Sequence, residues 1–293
     1  MPVDHHSRSH KCKYFLFCIL VMISGCAQTT GKQNSEPVFD ELNVIDATQL
    51  NEVMLTVADP NEAITYFRRA SRNNPDRIDH KRGLASSLVR AKQYSSAVPI
   101  WKTVTQMGGA TPEDRINYID ALVRSGDWDT ATQKFANLAD KPQSFERHRL
   151  EALLADHNEK WETSDAHYEV ASTLTSEPSG ILNNWGYSKL SRGEYAKAER
   201  LFTQAIRLNP TQFTAKNNLT LARGAQRKYT LPVIPMDQKE RALLLHTLAL
   251  TAIKQGDTLT GQTLLEEAIK SHPQHFSAAV QTLHALQNSK PQG

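Results

Sequence analysis

Small and aromatic residues recur along this chain with a period close to 34 residues. In five successive units a small residue, alanine four times and serine once, stands four positions before an aromatic residue. Small residues let two helices approach closely, and the aromatic residue fills the space to the next unit. Units of this size cannot cover their own apolar faces, so the pattern predicts that they stack on one another. The small positions are Ala63, Ala97, Ala131, Ser164 and Ala198, and the aromatic positions are Phe67, Trp101, Phe135, Tyr168 and Phe202.

Signals for helix starts and stops agree with this period. Thr111-Pro112-Glu113-Asp114 combines an N-cap residue, a proline at the first helical position and two acids in the first turn. Asn74-Pro75 and Asn209-Pro210 predict the ends of two helices, because the residue before a proline is disfavoured in the helical conformation. The units therefore begin near Val44, Ile78, Pro112, Phe145, Ser179 and Phe213.

The clearest unit resembles the tetratricopeptide repeat (TPR), a 34-residue pair of antiparallel helices. The resemblance implies an all-α fold, a right-handed TPR superhelix (α-solenoid) of about six to seven helical hairpins with a C-terminal capping helix. The matching residues of unit 179–212 are Gly186, Gly193, Tyr195, Ala198, Phe202, Ala205 and Pro210.

The repeat is interrupted once, near residue 231. The prolines of Leu231-Pro-Val-Ile-Pro-Met236 exclude a continuous helix, and Asp237-x-x-Glu240 is a capping box that starts helix again. We therefore expect a superhelix over 44–230, an extended linker over 231–236 that acts as a mild hinge, and a C-terminal unit with its capping helix over 237–293.

The N-terminal segment has the pattern of a lipoprotein signal peptide. Arg8, Lys11 and Lys13 precede an uncharged apolar run over 14–23, too short to remain as a membrane anchor. The following Ile-Ser-Gly-Cys26 resembles the bacterial lipobox, which implies a diacylglyceryl and acyl lipid on Cys26. The alternative is ordinary cleavage nearby, which would leave Cys26 as a free thiol.

This interpretation divides the N-terminus into a signal peptide, 1–25, and a lipidated flexible tether, 26–43. A polar tether of this length reaches about 20 Å. Ala27 follows the cysteine where aspartate would favour inner-membrane retention, so we expect the periplasmic face of the outer membrane.

Composition and motifs narrow the function classes. Lys and Arg number 34 against 31 Asp and Glu, too balanced for a nucleic-acid binder led by phosphate contacts. The three cysteines all lie within the first 26 residues, which excludes a disulfide framework and cysteine-ligated zinc. Catalytic motifs are absent from the sequence, so we expect no enzyme activity and no cofactor besides the lipid.

Several residues that carry potential chemistry have ordinary structural explanations. His272 and His275 are expected in a surface turn rather than at a metal. The residues expected on solvated helix faces are Asp156, His157 and His167, and those expected in the core are Trp101, Trp128, Trp161 and Trp185.

The concave groove lined by first helices is the expected partner surface. Asn183 and Asn217 occupy the same position in adjacent repeats and could each bind the backbone of an extended peptide, or could instead cap or be solvated. The fixed lysine, asparagine and arginine positions of the TPR carboxylate clamp are not matched. The groove candidates are Arg82, Arg90, Arg124, Arg149, Asn183, Tyr187 and Asn217.

A narrower resemblance concerns the C-terminal part. Five short segments resemble the C-terminal part of TadD-like lipoproteins of Tad (tight adherence, Flp) pilus assembly. They are 231–236, 243–249, Lys254-Gln-Gly-Asp257, 264–269 and His272-Pro-Gln-His-Phe276. The resemblance implies a scaffold that helps to localise or assemble the pilus secretin, as a pilotin does. An adaptor for periplasmic peptidoglycan enzymes and a role in outer-membrane protein assembly remain alternatives.

Overall fold

The computed structural model describes residues 49–139 and 141–288, and Cys26, the signal peptide and the tether lie outside them. The described residues contain helices and connecting loops but no strand, which confirms the all-α prediction. None of the described helices is long and apolar enough to span a bilayer. After a helical stretch over 49–56, the helices are α1 (Pro60–Asn73), α2 (Ile78–Arg90), α3 (Tyr94–Val104), α4 (Pro112–Ser125), α5 (Trp128–Ala136), α6 (Phe145–His157), α7 (Trp161–Thr173), α8 (Ser179–Ser191), α9 (Tyr195–Leu208), α10 (Phe213–Ala225), α11 (Gln238–Lys254), α12 (Thr258–Ser271) and α13 (Ser277–Asn288).

Consecutive helices pack as hairpins, and each hairpin packs on the next. The pairs α2–α3, α4–α5, α6–α7, α8–α9 and α11–α12 follow the predicted repeat, and α13 closes the series against α12. This is the architecture of a TPR α-solenoid, as the repeat pattern predicted.

The helices begin at the residues that the capping signals indicate. Thr111 accepts a hydrogen bond from the Asp114 backbone N–H, and the Asp114 carboxylate accepts one from the Thr111 N–H. Asp237 and Glu240 form the same reciprocal pair before α11. These bonds satisfy backbone donors that have no partner inside the helix.

The turn inside each hairpin contains one residue in the left-handed conformation. Glycine fills this place at Gly126, Gly193 and Gly256, whereas non-glycine residues adopt positive φ angles at Lys92 (59°) and Glu159 (55°), and Arg227 (59°) does so in the turn that follows α10. A side chain makes this conformation less favourable, so the stacked helices impose the turn even where the sequence lacks glycine.

The repeated small and aromatic positions form the core between the helices. Ala63, Ala97, Ala131, Ser164 and Ala198 are fully buried, as are Phe67 and Phe202, while Trp101, Phe135 and Tyr168 retain exposures of 1–6%. Gly186 is also buried, and a Cβ added there would lie 2.7 Å from the Phe202 ring. The small residues thus let each aromatic ring enter the gap between paired helices.

The predicted linker is non-helical and packs against both neighbours. Ile234 packs on the core between α8 and α10, and Leu231 packs on the core of α11 and α12. Lys216 on α10 and Glu240 on α11 form an ion pair of 2.7 Å across the interruption. The hinge remains a prediction.

Two glycines of α8 provide a matched test of this packing. Replacing Gly186 by alanine forces the methyl group against the buried Phe202 ring, and we expect a loss of about 1–3 kcal/mol in the free energy of unfolding. Gly180→Ala adds the same group in open space and should change stability by less than about 1 kcal/mol. Urea unfolding followed by circular dichroism measures both; equal midpoints would contradict the proposed contact.

Candidate binding groove

Two adjoining cavities follow the inner faces of the first helices α6, α8, α10 and α11. Their volumes are about 530 Å³ and 720 Å³, and Tyr187 and Ser191 of α8 line both. Asn183 lines the first cavity and Asn217 the second. The Tyr187 side chain is 57% exposed and lies where the two cavities meet. The described residues therefore include a continuous groove that contains three of the predicted candidates.

The lining of the groove is aromatic, aliphatic and amide-rich. Its ionisable side chains are Asp156 and His157 in the first cavity and Lys254 in the second, besides tyrosine. Apolar residues of the first cavity are Trp128, Leu153 and Trp161, and those of the second are Leu190, Leu221, Ala225 and Leu250.

Asp156 joins three helices, and the prediction of a solvated residue is wrong. Its carboxylate accepts hydrogen bonds from the Ser164 hydroxyl (2.5 Å) and the Tyr168 hydroxyl (2.8 Å) on α7, and from the Ser188 hydroxyl (2.7 Å) on α8. Burial raises the pKa of Tyr168, and the adjacent carboxylate raises it further, so its hydroxyl remains a donor. The carboxylate fixes one junction between repeats.

Of the two histidines predicted on solvated faces, His157 agrees with the prediction and His167 departs from it. His157 is exposed but stacks on Trp128, with ring centroids 4.5 Å apart. His167 is half-buried, and its Nδ1 lies 2.9 Å from Nδ1 of His148. Burial lowers the pKa of both members of this pair, which is consistent with one neutral ring donating to the other.

The two predicted amides engage different partners. Asn183 Oδ1 accepts a hydrogen bond of 3.1 Å from Asn218, and Asn217 Oδ1 accepts one of 2.8 Å from the Thr247 hydroxyl. Neither Nδ2 group donates to another group within the described ranges, and each residue lines a cavity, although Asn183 is only 8% exposed. Asn218 had no obvious signal in the sequence, since the repeat register singles out Asn217 instead. The role of these amides in partner binding remains a prediction.

Two of the candidate arginines join the first repeats. Arg82 on α2 contacts both carboxylate oxygens of Asp114 on α4, at 2.8 and 2.6 Å. Arg90 donates to the carbonyls of Met54, Leu55 and Ala58, at the end of the helical stretch over 49–56. Both guanidinium groups therefore connect neighbouring elements.

The other two arginines share one carboxylate. Asp120 on α4 accepts from Arg124 at 2.6 Å and from Arg149 on α6 at 2.5 Å. Arg124 also lies over the ring of Tyr94, 5.8 Å from its centroid. Whether the candidate arginines contact a partner as well remains a prediction.

The tryptophans fall into two groups, which corrects the prediction of a uniform core set. Trp101 is 3% exposed, whereas Trp128, Trp161 and Trp185 are only partly buried. Trp128 and Trp161 begin the second helices α5 and α7 and line the first cavity. Position in the repeat identified them as packing residues, but the edge of a helix pair exposes part of each ring to the groove.

Asp165 forms a second polar junction behind the groove. It accepts from Trp185 Nε1 (2.7 Å), Lys189 (2.5 Å) and Arg192 (2.6 Å). Burial alone would raise the pKa of this carboxyl group, but these hydrogen bonds outweigh it and lower the pKa to about 2. Arg192 also covers the Trp161 ring at 5.1 Å.

The described residues contain no group of three His, Cys, Asp or Glu side chains arranged to hold a metal ion. His272 makes a local contact of 2.8 Å with the Gln274 carbonyl. His275 is exposed. This geometry agrees with a surface turn.

Comparison with solved structures identifies the fold. A tetratricopeptide repeat protein from Parabacteroides merdae matches 85% of this chain over 99% of its own length, with a TM-score of 0.54 and 12% identity. A chain of the APC/C hetero-tetramer Cut9-Hcn1 gives a TM-score of 0.57 and 13% identity over 80% of this chain. IFIT1 solved with Gppp-AAAA gives a TM-score of 0.57 and 11% identity over 82% of this chain. The chain therefore has the TPR fold.

For two of these neighbours, the match covers only part of the neighbour's own length. The chain spans about half of the Cut9-Hcn1 chain (48%) and 63% of IFIT1. No protein-family model matches the sequence, and no curated protein matches it either.

Removing the Asp156 carboxylate tests the first polar junction. Asp156→Ala leaves the hydroxyls of Ser164, Tyr168 and Ser188 without their acceptor, and we expect the free energy of unfolding to fall by about 2–4 kcal/mol. Glu169→Ala, an exposed position on α7, is the control and should be neutral within about 0.5 kcal/mol. Denaturant titration measures the free energy of unfolding of both variants. Equal decreases in the two variants would refute the assigned role of Asp156.

Proposed function

We propose that this protein is a non-enzymatic, lipid-anchored scaffold of Tad (Flp) pilus biogenesis at the periplasmic face of the outer membrane. The observation that carries the proposal is a groove with available amide donors on an α-solenoid, in a chain whose N-terminal sequence resembles a lipobox at Cys26. The C-terminal resemblance to TadD-like lipoproteins supports the pilus assignment, and the secretin is the proposed partner.

The mechanism is capture near the membrane. Acyl chains on Cys26 restrict the solenoid to the membrane surface, which raises its effective concentration for partners there. The groove then binds a segment of the partner, and binding stabilises that partner during localisation or assembly. No step of this mechanism makes or breaks a covalent bond, which agrees with the absence of catalytic motifs from the sequence.

A protein partner fits the groove better than a nucleic acid does. Lys254 is the only lysine or arginine among the residues that line the two cavities, whereas nucleic-acid binding needs several cations to neutralise phosphates. The neighbour IFIT1 was solved with Gppp-AAAA, but that property does not transfer at 11% identity.

The anchor is tested by a serine substitution at Cys26. Cys26→Ser removes the acylated thiol, so the protein should leave the membrane fraction and secretin multimers in the outer membrane should fall at least fivefold. Cys18→Ser, inside the apolar run, is the matched control and should retain both properties. Fractionation and immunoblotting of heat-resistant secretin multimers measure the two effects.

Two results would contradict this proposal. Membrane association of the Cys26→Ser protein in sucrose flotation would refute the lipid anchor. Normal secretin multimers in a strain that lacks the protein would refute the pilotin role, and co-purification with a peptidoglycan enzyme would then favour the adaptor alternative.

A further inference from the structure

The two cavities have the layout of paired side-chain sites on either side of one exposed aromatic residue. We propose that the groove binds an extended, uncharged segment that places apolar side chains three residues apart, one in each cavity, with Tyr187 between them. This inference names the ligand of the groove in the proposed function and rests on that groove being the partner surface.

The spacing follows from the positions of the cavities in the repeat. Asn183 on α8 and Asn217 on α10 are equivalent residues of adjacent first helices, and each lines one cavity. Packed helices lie about 8–10 Å apart. A peptide in the polyproline II conformation advances about 3.1 Å per residue and repeats its side-chain direction every three residues, so side chains three residues apart can enter the two cavities from the same face.

The charge preference follows from how the lining is already satisfied. The Asp156 carboxylate accepts three hydroxyl groups, and the His157 ring is stacked on Trp128. Lys254 belongs to the second cavity alone. A charged ligand side chain would lose its hydration without gaining a partner over most of the groove, so neutral side chains are favoured.

The available polar groups match a peptide backbone. Nδ2 of Asn183 and Nδ2 of Asn217 are donors with no acceptor in the described residues, and a chain lying over α8 and α10 presents carbonyl oxygens at regular intervals. The Oδ1 atoms are occupied by Asn218 and Thr247, which fixes the orientation of both amides.

A glycan fits less well. Sugars need flat aromatic faces and acceptors for their hydroxyl groups, but His157 covers one face of Trp128 and Arg192 lies over Trp161. The carboxylate in the first cavity already accepts hydrogen bonds from three hydroxyl groups of the protein. A peptide is therefore the better ligand for this groove.

Short synthetic peptides test the inference directly. Ten-residue Gly/Ser peptides with blocked ends carry two leucines at spacings of two, three or five, and a neutral fluorophore reports binding to the detergent-solubilised full-length mature lipoprotein. We expect the spacing of three to bind at least tenfold more tightly than the others. Glu or Lys between the leucines should weaken binding at least fivefold.

Substitution at Tyr187 locates the binding. Tyr187→Ala removes an exposed side chain and should weaken the best peptide at least tenfold without lowering the melting temperature. Leu208→Ala, at a 55% exposed position on α9 outside both cavities, is the matched control and should bind like the wild type.

The outcomes separate this inference from the proposed function. Binding that ignores spacing, prefers charged peptides or survives Tyr187→Ala overturns the inference. Binding of chitotetraose, when none of the peptides binds, assigns the groove to a glycan and overturns the inference as well. Secretin assembly in the Cys26→Ser strain is measured independently of peptide binding, so failure of the inference can be distinguished from failure of the proposed function.

Discussion

Within the described residues, the hairpins share their apolar cores with their neighbours, and the groove depends on this stacking. The buried core around Phe202 includes residues of α8, α9 and α10, and the larger core near the N-terminus extends from Ala63 to Leu154 through several hairpins. Close approach at Gly186 sets the separation of the paired helices. Stacking therefore holds the first helices side by side, and their inner faces become one groove.

Charged residues are used at the junctions between repeats, which leaves the groove nearly neutral. Asp114 binds Arg82, and Asp120 binds Arg124 and Arg149. Farther along the solenoid, Asp156 and Asp165 each accept three partners. The groups left for a ligand are the amides and rings of the inner faces.

Much of the fold could be predicted because the packing positions repeat in the sequence itself. The alanine at position 63 and the ring at position 67 follow from the 34-residue period, and the capping box at Thr111 follows from local backbone hydrogen bonding. The turns at Glu159 and Arg227 could not be predicted from their residue types, since the stack imposes a conformation that glycine prefers.

The candidate site could be predicted only in part. The register located Asn183, but its partner Asn218 depends on how α10 lies against α8. The role of Asp156 depends on hydroxyl groups from two other helices, and Trp128 is only partly buried because it stands at the start of a helix. Such features arise from the meeting of distant elements and leave no local signal in the sequence.

Hydrogen–deuterium exchange with and without bound partner segment is the most direct measurement of whether stacking creates the binding surface. The account predicts that binding slows amide exchange in α6, α8, α10 and α11, with smaller changes in α7 and α12. Slowed exchange confined to the second helices α7, α9 and α12, with the inner helices unchanged, would contradict it.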